Sequence, residues 1–226
     1  MINARVKDGI LVVNKPAGFT SHDVVAVVRR KLNMQKIGHA GTLDPIATGV
    51  LVVLVGKATG LFERFMRFEK EYAATLRLGA RTDSGDSSGS VVEEKEFGHI
   101  TRPMAETAFL SYKGRIMQIP PMYSAVKHKG KRLYQLALKG KEVERKPREV
   151  TVSDIKVLDF RLPDIDFYMR CSKGTYVRQL GEDVARDLGS VGHICRLQRT
   201  SIGPFTIEQS VGIDDIDGSK VQPFSG

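Results

Sequence analysis

The six apolar residues at 50–55 (VLVVLV) form the longest uninterrupted apolar run in the chain, and they limit what it can become. They fall far short of the roughly 20 residues that span a bilayer. A run without polar alternation, bounded by Gly49 and Gly56, suits a strand buried inside a domain. At 226 residues the chain is long enough to hide roughly 70% of its unfolded surface, so a real core is available. With 41% hydrophobic and 27% charged residues, 22 Gly and 9 Pro, collagen-like and wholly disordered chains are excluded. The N-terminal MINARVKDG lacks the apolar core and small-residue cleavage site of a signal peptide, so a cytoplasmic address is expected. In a reducing compartment Cys171 and Cys195 are expected as small core residues rather than a bridge.

Around that run the chain mixes strands and helices. Strands are expected at 9–14, 49–56, 70–79, 149–160 with 165–171, and finally 194–202. Helices are expected from Ser21 as N-cap, with Val24, Val25, Val28 and Leu32 on one face, and at 58–68, 102–112, 133–138 and 175–188. Residues 38–49 read as a glycine-bounded loop and 82–90 as a polar turn. No regular βαβ rhythm and no internal repeat is visible, so the fold class expected is α+β around a largely antiparallel sheet.

Charge is unevenly placed. Lys plus Arg number 35 against 26 acids, a formal +9 that makes a polyanionic partner plausible. Residues 113–149 hold eleven bases and three acids, so +8 of the +9 sits in one segment. Such a run can be a mere solvated face. Here Tyr112, Met117, Met122, Tyr123 and Tyr134 are interleaved with it, and bases of RNA stack on such side chains while Lys and Arg neutralise phosphates.

Two motifs can carry chemistry. In GHAGTLDPIATG (38–49) the one acid, Asp44, precedes Pro45, which biases it to an extended backbone, and Gly38, Gly41 and Gly49 permit close approach of another chain. A carboxylate on such a loop can be a nucleophile, although Asp-Pro also starts ordinary turns. In CSKGTYVRQL (171–180) Arg178 falls in the first turn of a helix, where a cation is disfavoured unless it has a partner. A buried carboxylate such as Asp44 suits a planar guanidinium, and a plain surface arginine is the alternative. TDSGDSSG (82–89) has the wrong spacing for a calcium loop and reads as a turn. The five histidines are scattered, so no metal site is expected, and neither a phosphate-binding loop nor a serine-nucleophile elbow occurs.

NKPAGFTSHDVV (14–25), GHAGTLDPIATGVL (38–51), KEYAATLRLGARTDSGDSSG (70–89), IPPMYSAVKHKGKRLYQLALKGKEV (119–143) and CSKGTYVRQL (171–180) together resemble the TruB family, which makes pseudouridine from the T-loop uridine, position 55, of tRNA. The resemblance runs through nearly the whole chain in order. It implies a pseudouridine-synthase fold spanning residues 1–226 as a single catalytic domain, with 113–149 inserted as an RNA-gripping thumb. It implies Asp44 as catalytic aspartate, Tyr72 as the aromatic stacked on the target base and Arg178 as the partner of Asp44. His39 resembles the histidine that holds the T loop open, Tyr176 and Leu197 resemble pocket residues, and Lys15 matches the lysine of the N-terminal motif. Lys127, Lys129, Lys131 and Arg132 become substrate-binding residues of the thumb. Family members usually continue into a C-terminal PUA domain, and the chain ends soon after IEQSVGIDDID, so none is expected here. The reaction moves one glycosidic bond from N1 to C5 of a flipped-out base without redox change, so no cofactor is implied. The partner implied is tRNA, met by a monomer with no membrane. Attack at C1′ or at C6, a separate tRNA-folding chaperone role, a non-catalytic RNA binder on the same fold and an RNA-directed hydrolase all stay open.

Overall fold

The computed structural model describes residues 8–124 and 126–224; residues 1–7, which include most of the N-terminal MINARVKDG, lie outside them. In chain order the elements are β1 (Gly9–Lys15), α1 (Ser21–Leu32), β2 (Ile37–Ala40), β3 (Thr48–Val55), α2 (Phe62–Met66), β4 (Lys70–Leu78), β5 (Ala80–Thr82), β6 (Val91–Glu94) and α3 (Arg102–Ser111). They continue with β7 (Gly114–Gln118), β8 (Lys127–His128), β9 (Lys131–Arg132), α4 (Leu133–Ala137), β10 (Arg148–Arg161), β11 (Asp164–Cys171), α5 (Val177–Asp187), β12 (Gly192–Ile202) and β13 (Phe205–Thr206). The class is α+β, with mainly antiparallel strands. The chain divides into two compact units: residues 1–72 with 197–226, and residues 73–196.

The apolar run organises the first unit. β3 pairs antiparallel with β1 from Gly9↔Val55 to Lys15↔Gly49, and with β2 from Ile37↔Val55 to Ala40↔Val52. Leu51, Val53 and Val55 join Leu11 and Val13 of β1 beneath Val24, Val25, Val28 and Leu32 of α1. Val50, Val52 and Leu54, with Ile10 and Val12, face the other way onto Phe65 and Ile202. Both faces of β3 are covered, which is why its sequence shows no alternation. β12 meets β3 in parallel at Gln198↔Thr48 and Arg199↔Gly49, and β13 then turns back on it, so β12 is not the last strand. Gly49 has φ +99°, and a Cβ there would stand 2.2 Å from the Arg199 carbonyl oxygen. The chain that approaches this glycine is therefore the protein's own strand.

In the second unit the hydrogen-bonded order is β12-β4-β11-β10-β7. β10 pairs antiparallel with β11 along most of its length and with β7 from Arg148↔Gln118 to Val152↔Gly114. α3 packs its Phe109 ring 4.7 Å from that of Phe167 on β11. β5 and β6 form one separate ribbon, β8 and β9 another. Residues expected as one helix at 58–68 split into a 3-10 turn (Gly56–Leu61) and the short α2. Neither cysteine is in a disulfide; Cys171 is a core residue, whereas Cys195 is half-buried.

Candidate active site

The helix start at Ser21 is correct, but Ser21 is not the cap. Thr20 is, and it exchanges hydrogen bonds with Asp23: the Thr20 hydroxyl accepts from the Asp23 N–H, and the Asp23 carboxylate accepts from the Thr20 N–H. That leaves the Ser21 hydroxyl, itself buried, for another task. It donates to the Leu43 carbonyl at 3.3 Å and accepts from the Leu43 N–H at 2.9 Å. Leu43 precedes Asp44, so the first turn of α1 fixes the loop that presents the carboxylate.

The loop runs from Gly41 to Ala47, shorter than expected because His39 and its neighbours form strand β2. On its far side Lys15, the last residue of β1, is fully buried and donates through Nζ to the carbonyls of Pro16 (2.9 Å), Phe19 (2.6 Å) and Pro45 (3.2 Å). Burial pulls its ammonium down to about 8, against the attraction of Asp44. Lys15 thus works on backbone carbonyls, from beneath the chain. His39 lies against His22, ring centroids 5.3 Å apart and edge to face. Burial, with lesser pushes from His22 and Arg199, pulls its imidazole down to about 4, so it is neutral at pH 7. Its Nδ1 is buried and meets no hydrogen-bond partner of good geometry among the described residues. Tyr72 on β4 and Leu197 on β12 are both buried, at 9% and 7% exposure.

Lys15, His39, Asp44, Tyr72 and Leu197 all belong to the first unit; Tyr176, Arg178 and the thumb cations belong to the second. Arg178 is not a surface arginine: its side chain is 5% exposed. Nη1 donates to the Ser84 carbonyl at 2.6 Å, Nη2 to the Tyr123 carbonyl at 2.8 Å, and Nε stands 3.6 Å from Oδ2 of Asp86. By its sequence alone Asp86 is a turn residue. It does close a turn, accepting at Oδ1 from both hydroxyls and one N–H of Ser84 and Ser88, yet its side chain is 4% exposed and faces a guanidinium. Tyr176 is the N-cap of α5, and Gln118, also buried, holds it by donating to its carbonyl (3.0 Å) and accepting from its N–H (2.9 Å). Neither Asp86 nor Gln118 is legible as a site residue, because each lies in a segment whose local pattern is complete without it.

Arg81, Asp83 and Ser84, the α5 residues Gln179, Glu182 and Asp183, and side chains of the 117–145 stretch line an open cleft of about 860 Å³. Ser84 and Tyr123, whose carbonyls hold Arg178, line it. Burial pushes the carboxyls of Glu182 and Asp183 in its wall upward. Lys127, Lys129, Lys131 and Arg132 stand exposed on the β8–β9 hairpin, paired Lys127↔Arg132 across the strands. Lys129 (φ 48°) and Gly130 (φ 83°) form its turn, the pair of positive φ angles that a tight two-residue hairpin needs. Among the described residues no three His, Cys, Asp or Glu side chains gather as metal ligands, and no helix is long and apolar enough to cross a membrane.

Residues 29–177 match the family described as TruB family pseudouridylate synthase (N terminal domain). The chain is 46% identical over 210 residues to the tRNA pseudouridine synthase B of Opitutus terrae, covering 93% of this chain and 87% of that one. It is 44% identical over 213 residues to the same-named protein of Hydrogenovibrio crunogenus, covering 94% and 70%. Among solved structures it is similar to a chain of a Cbf5-Nop10-Gar1 complex, with TM-score 0.76 and 29% identity, covering 99% of this chain. It is also similar to one in an H/ACA ribonucleoprotein bound to a substrate RNA containing 2′-deoxyuridine, with TM-score 0.71 and 28% identity, covering 95%. It spans only 62% and 54% of those two solved chains.

Proposed function

Since the chain belongs to the TruB family of pseudouridylate synthases, isomerases that turn uridine into pseudouridine, we propose that it acts on tRNA, at the T-loop uridine of position 55, with Asp44 as nucleophile. One observation supports this reading most. All five backbone carbonyls from Gly41 to Pro45 accept a hydrogen bond: from Arg199 at 41 and 42, Ser21 at 43, the Ala47 N–H at 44, and Lys15 with the Gly18 N–H at 45. Five successive carbonyls engaged in this way hold the backbone around Asp44 in place, and fixed orientation is a source of rate for a nucleophile. An ordinary Asp-Pro turn needs no such support.

In the reaction the carboxylate of Asp44 adds to C1′ or to C6, the N1–C1′ bond breaks, the base rotates, and C5–C1′ forms. C5 loses its proton and N1 regains one, so atoms and electrons balance without a co-reactant. The target base must leave the T-loop stack, at a cost of a few kcal/mol, and phosphate contacts by the cationic thumb (113–149) offset it. Tyr72 takes the stacking role on the extruded base, Tyr176 and Leu197 the walls around it, and Arg178 the counter-charge. His39, neutral at pH 7, meets the opened loop as an uncharged ring rather than as a cation. The protein does this as a monomeric catalytic domain in the cytoplasm.

The experiment is tritium release from tRNA labelled at uridine C5, since forming C5–C1′ must expel that hydrogen. The parent protein is expected to release it and Asp44→Asn to release none, with tRNA binding changed by less than about tenfold. Turnover by pure Asp44→Asn ends the nucleophile assignment. A tRNA-folding role rests on binding alone and would survive in that variant.

A further inference from the structure

Arg199 heads the fully buried side chains by volume, at 1% exposure, and the family reading gives it no task. Its planar guanidinium is divided among three backbone carbonyls: Nε donates to Val50 at 2.8 Å, Nη2 to Gly41 at 3.0 Å and Nη1 to Thr42 at 3.3 Å. Val50 lies on β3, whereas Gly41 and Thr42 begin the loop that carries Asp44. The backbone of Arg199 is itself anchored on β3, in parallel register with Gly49. One residue therefore ties the start of the loop to the strand at its end. Gly41 supplies the backbone conformation rather than space: its φ is +99°, whereas a Cβ there would meet Nη1 only at an ordinary contact distance of 3.6 Å. The far limb of the loop is held separately by Lys15 and the Gly18 N–H, and Leu43 by Ser21.

From this geometry we infer that Arg199 is a positioning residue for the isomerisation: it sets the direction of the Asp44 carboxylate through the carbonyls of Gly41 and Thr42, without touching the substrate. The inference rests on Asp44 being the nucleophile. A lysine cannot reproduce the arrangement: the three carbonyls are met by three separate nitrogens of a planar fork, whereas the Lys15 ammonium serves carbonyls that converge on a single atom. A misplacement of about 1 Å at a nucleophile can cost around a hundredfold in rate.

The test compares Arg199→Lys with Val53→Ala, a core change under α1 that lowers melting without touching the loop. At saturating tRNA, Arg199→Lys is expected to lose roughly 10- to 100-fold in the single-turnover rate constant, with its tRNA dissociation constant within about threefold of the parent. Val53→Ala is expected to keep the parent rate. Hydrogen exchange at the Leu43 and Ala47 amides should quicken in Arg199→Lys while β10 and β11 stay protected. In the parent, those two amides should be protected to the level of β3. A parent-like rate in Arg199→Lys, an equal loss in Val53→Ala, or free exchange of the two amides in the parent would each overturn the assignment. Normal turnover by Asp44→Asn removes the nucleophile reading instead, and leaves the exchange result to report on the loop alone.

Discussion

Asp86 and Arg178 illustrate how burial changes the meaning of a residue. Exposed, an aspartate in TDSGDSSG is a turn former; at 4% exposure it is half of an ion pair that must be kept. Buried pairs are a weak source of stability, but removing one partner leaves the other charged and dry, at about 3 to 5 kcal/mol. Arg178→Ala strips Asp86 of that partner and the Ser84 and Tyr123 carbonyls of their donors. It is therefore expected to unfold about 3 kcal/mol more easily in denaturant titrations and to turn over slowly. Parent-like stability in that variant would contradict the ion pair. Residue by residue, only half of the site is legible without the fold. Asp44 and Arg178 stand out because a proline and a helix start make each anomalous, while Ser21 and Gln118 carry no local anomaly. Arg199 leaves a fainter trace, sharing strand parity with the buried Leu197 and Ser201.

The elements follow the apolar pattern closely where it is strong. α1, β1, β3, β10 and β11 lie within a residue or two of the apolar runs that announce them, because a face that must be covered leaves a periodicity many residues long. β5, β6, β8 and β9 leave no such trace: they are short, largely polar or exposed ribbons, made by turn geometry rather than by burial. The β8–β9 hairpin is the clearest case. Its strands are two residues each, and its four cations stand exposed. Neutralising Lys127, Lys129, Lys131 and Arg132 together is expected to weaken tRNA binding and to flatten the log-log salt dependence by roughly 0.7 to 0.9 for each phosphate no longer neutralised. An unchanged slope in a filter-binding series would make the ribbon a solvated face and nothing more.

At the scale of the whole molecule, a group buried in its neutral form makes stability depend on pH. His39 titrates near 4 when folded against an ordinary 6.5, so between those values the unfolded chain binds the extra proton. Stability from this group therefore rises with pH from about 4 to 6.5 and is flat above, a span of up to about 3 kcal/mol. His39→Gln should narrow its stability gap to the parent as the pH falls through that window; a pH-independent gap in urea titrations would mean the ring is solvated. The order of residues is enough for the α+β class, the buried strand at 50–55, the amphipathic helices, the cationic segment and the loop holding Asp44. Each of these is written in neighbouring residues and averaged over many of them. Which polar side chains are buried, and what they hold, depends on the folded chain. Arg199 finds its carbonyl partners 149 to 158 residues away, and Arg178 its own at 94 and 55. A polar group can be buried only where another segment supplies its hydrogen bonds, and no stretch of sequence contains that segment.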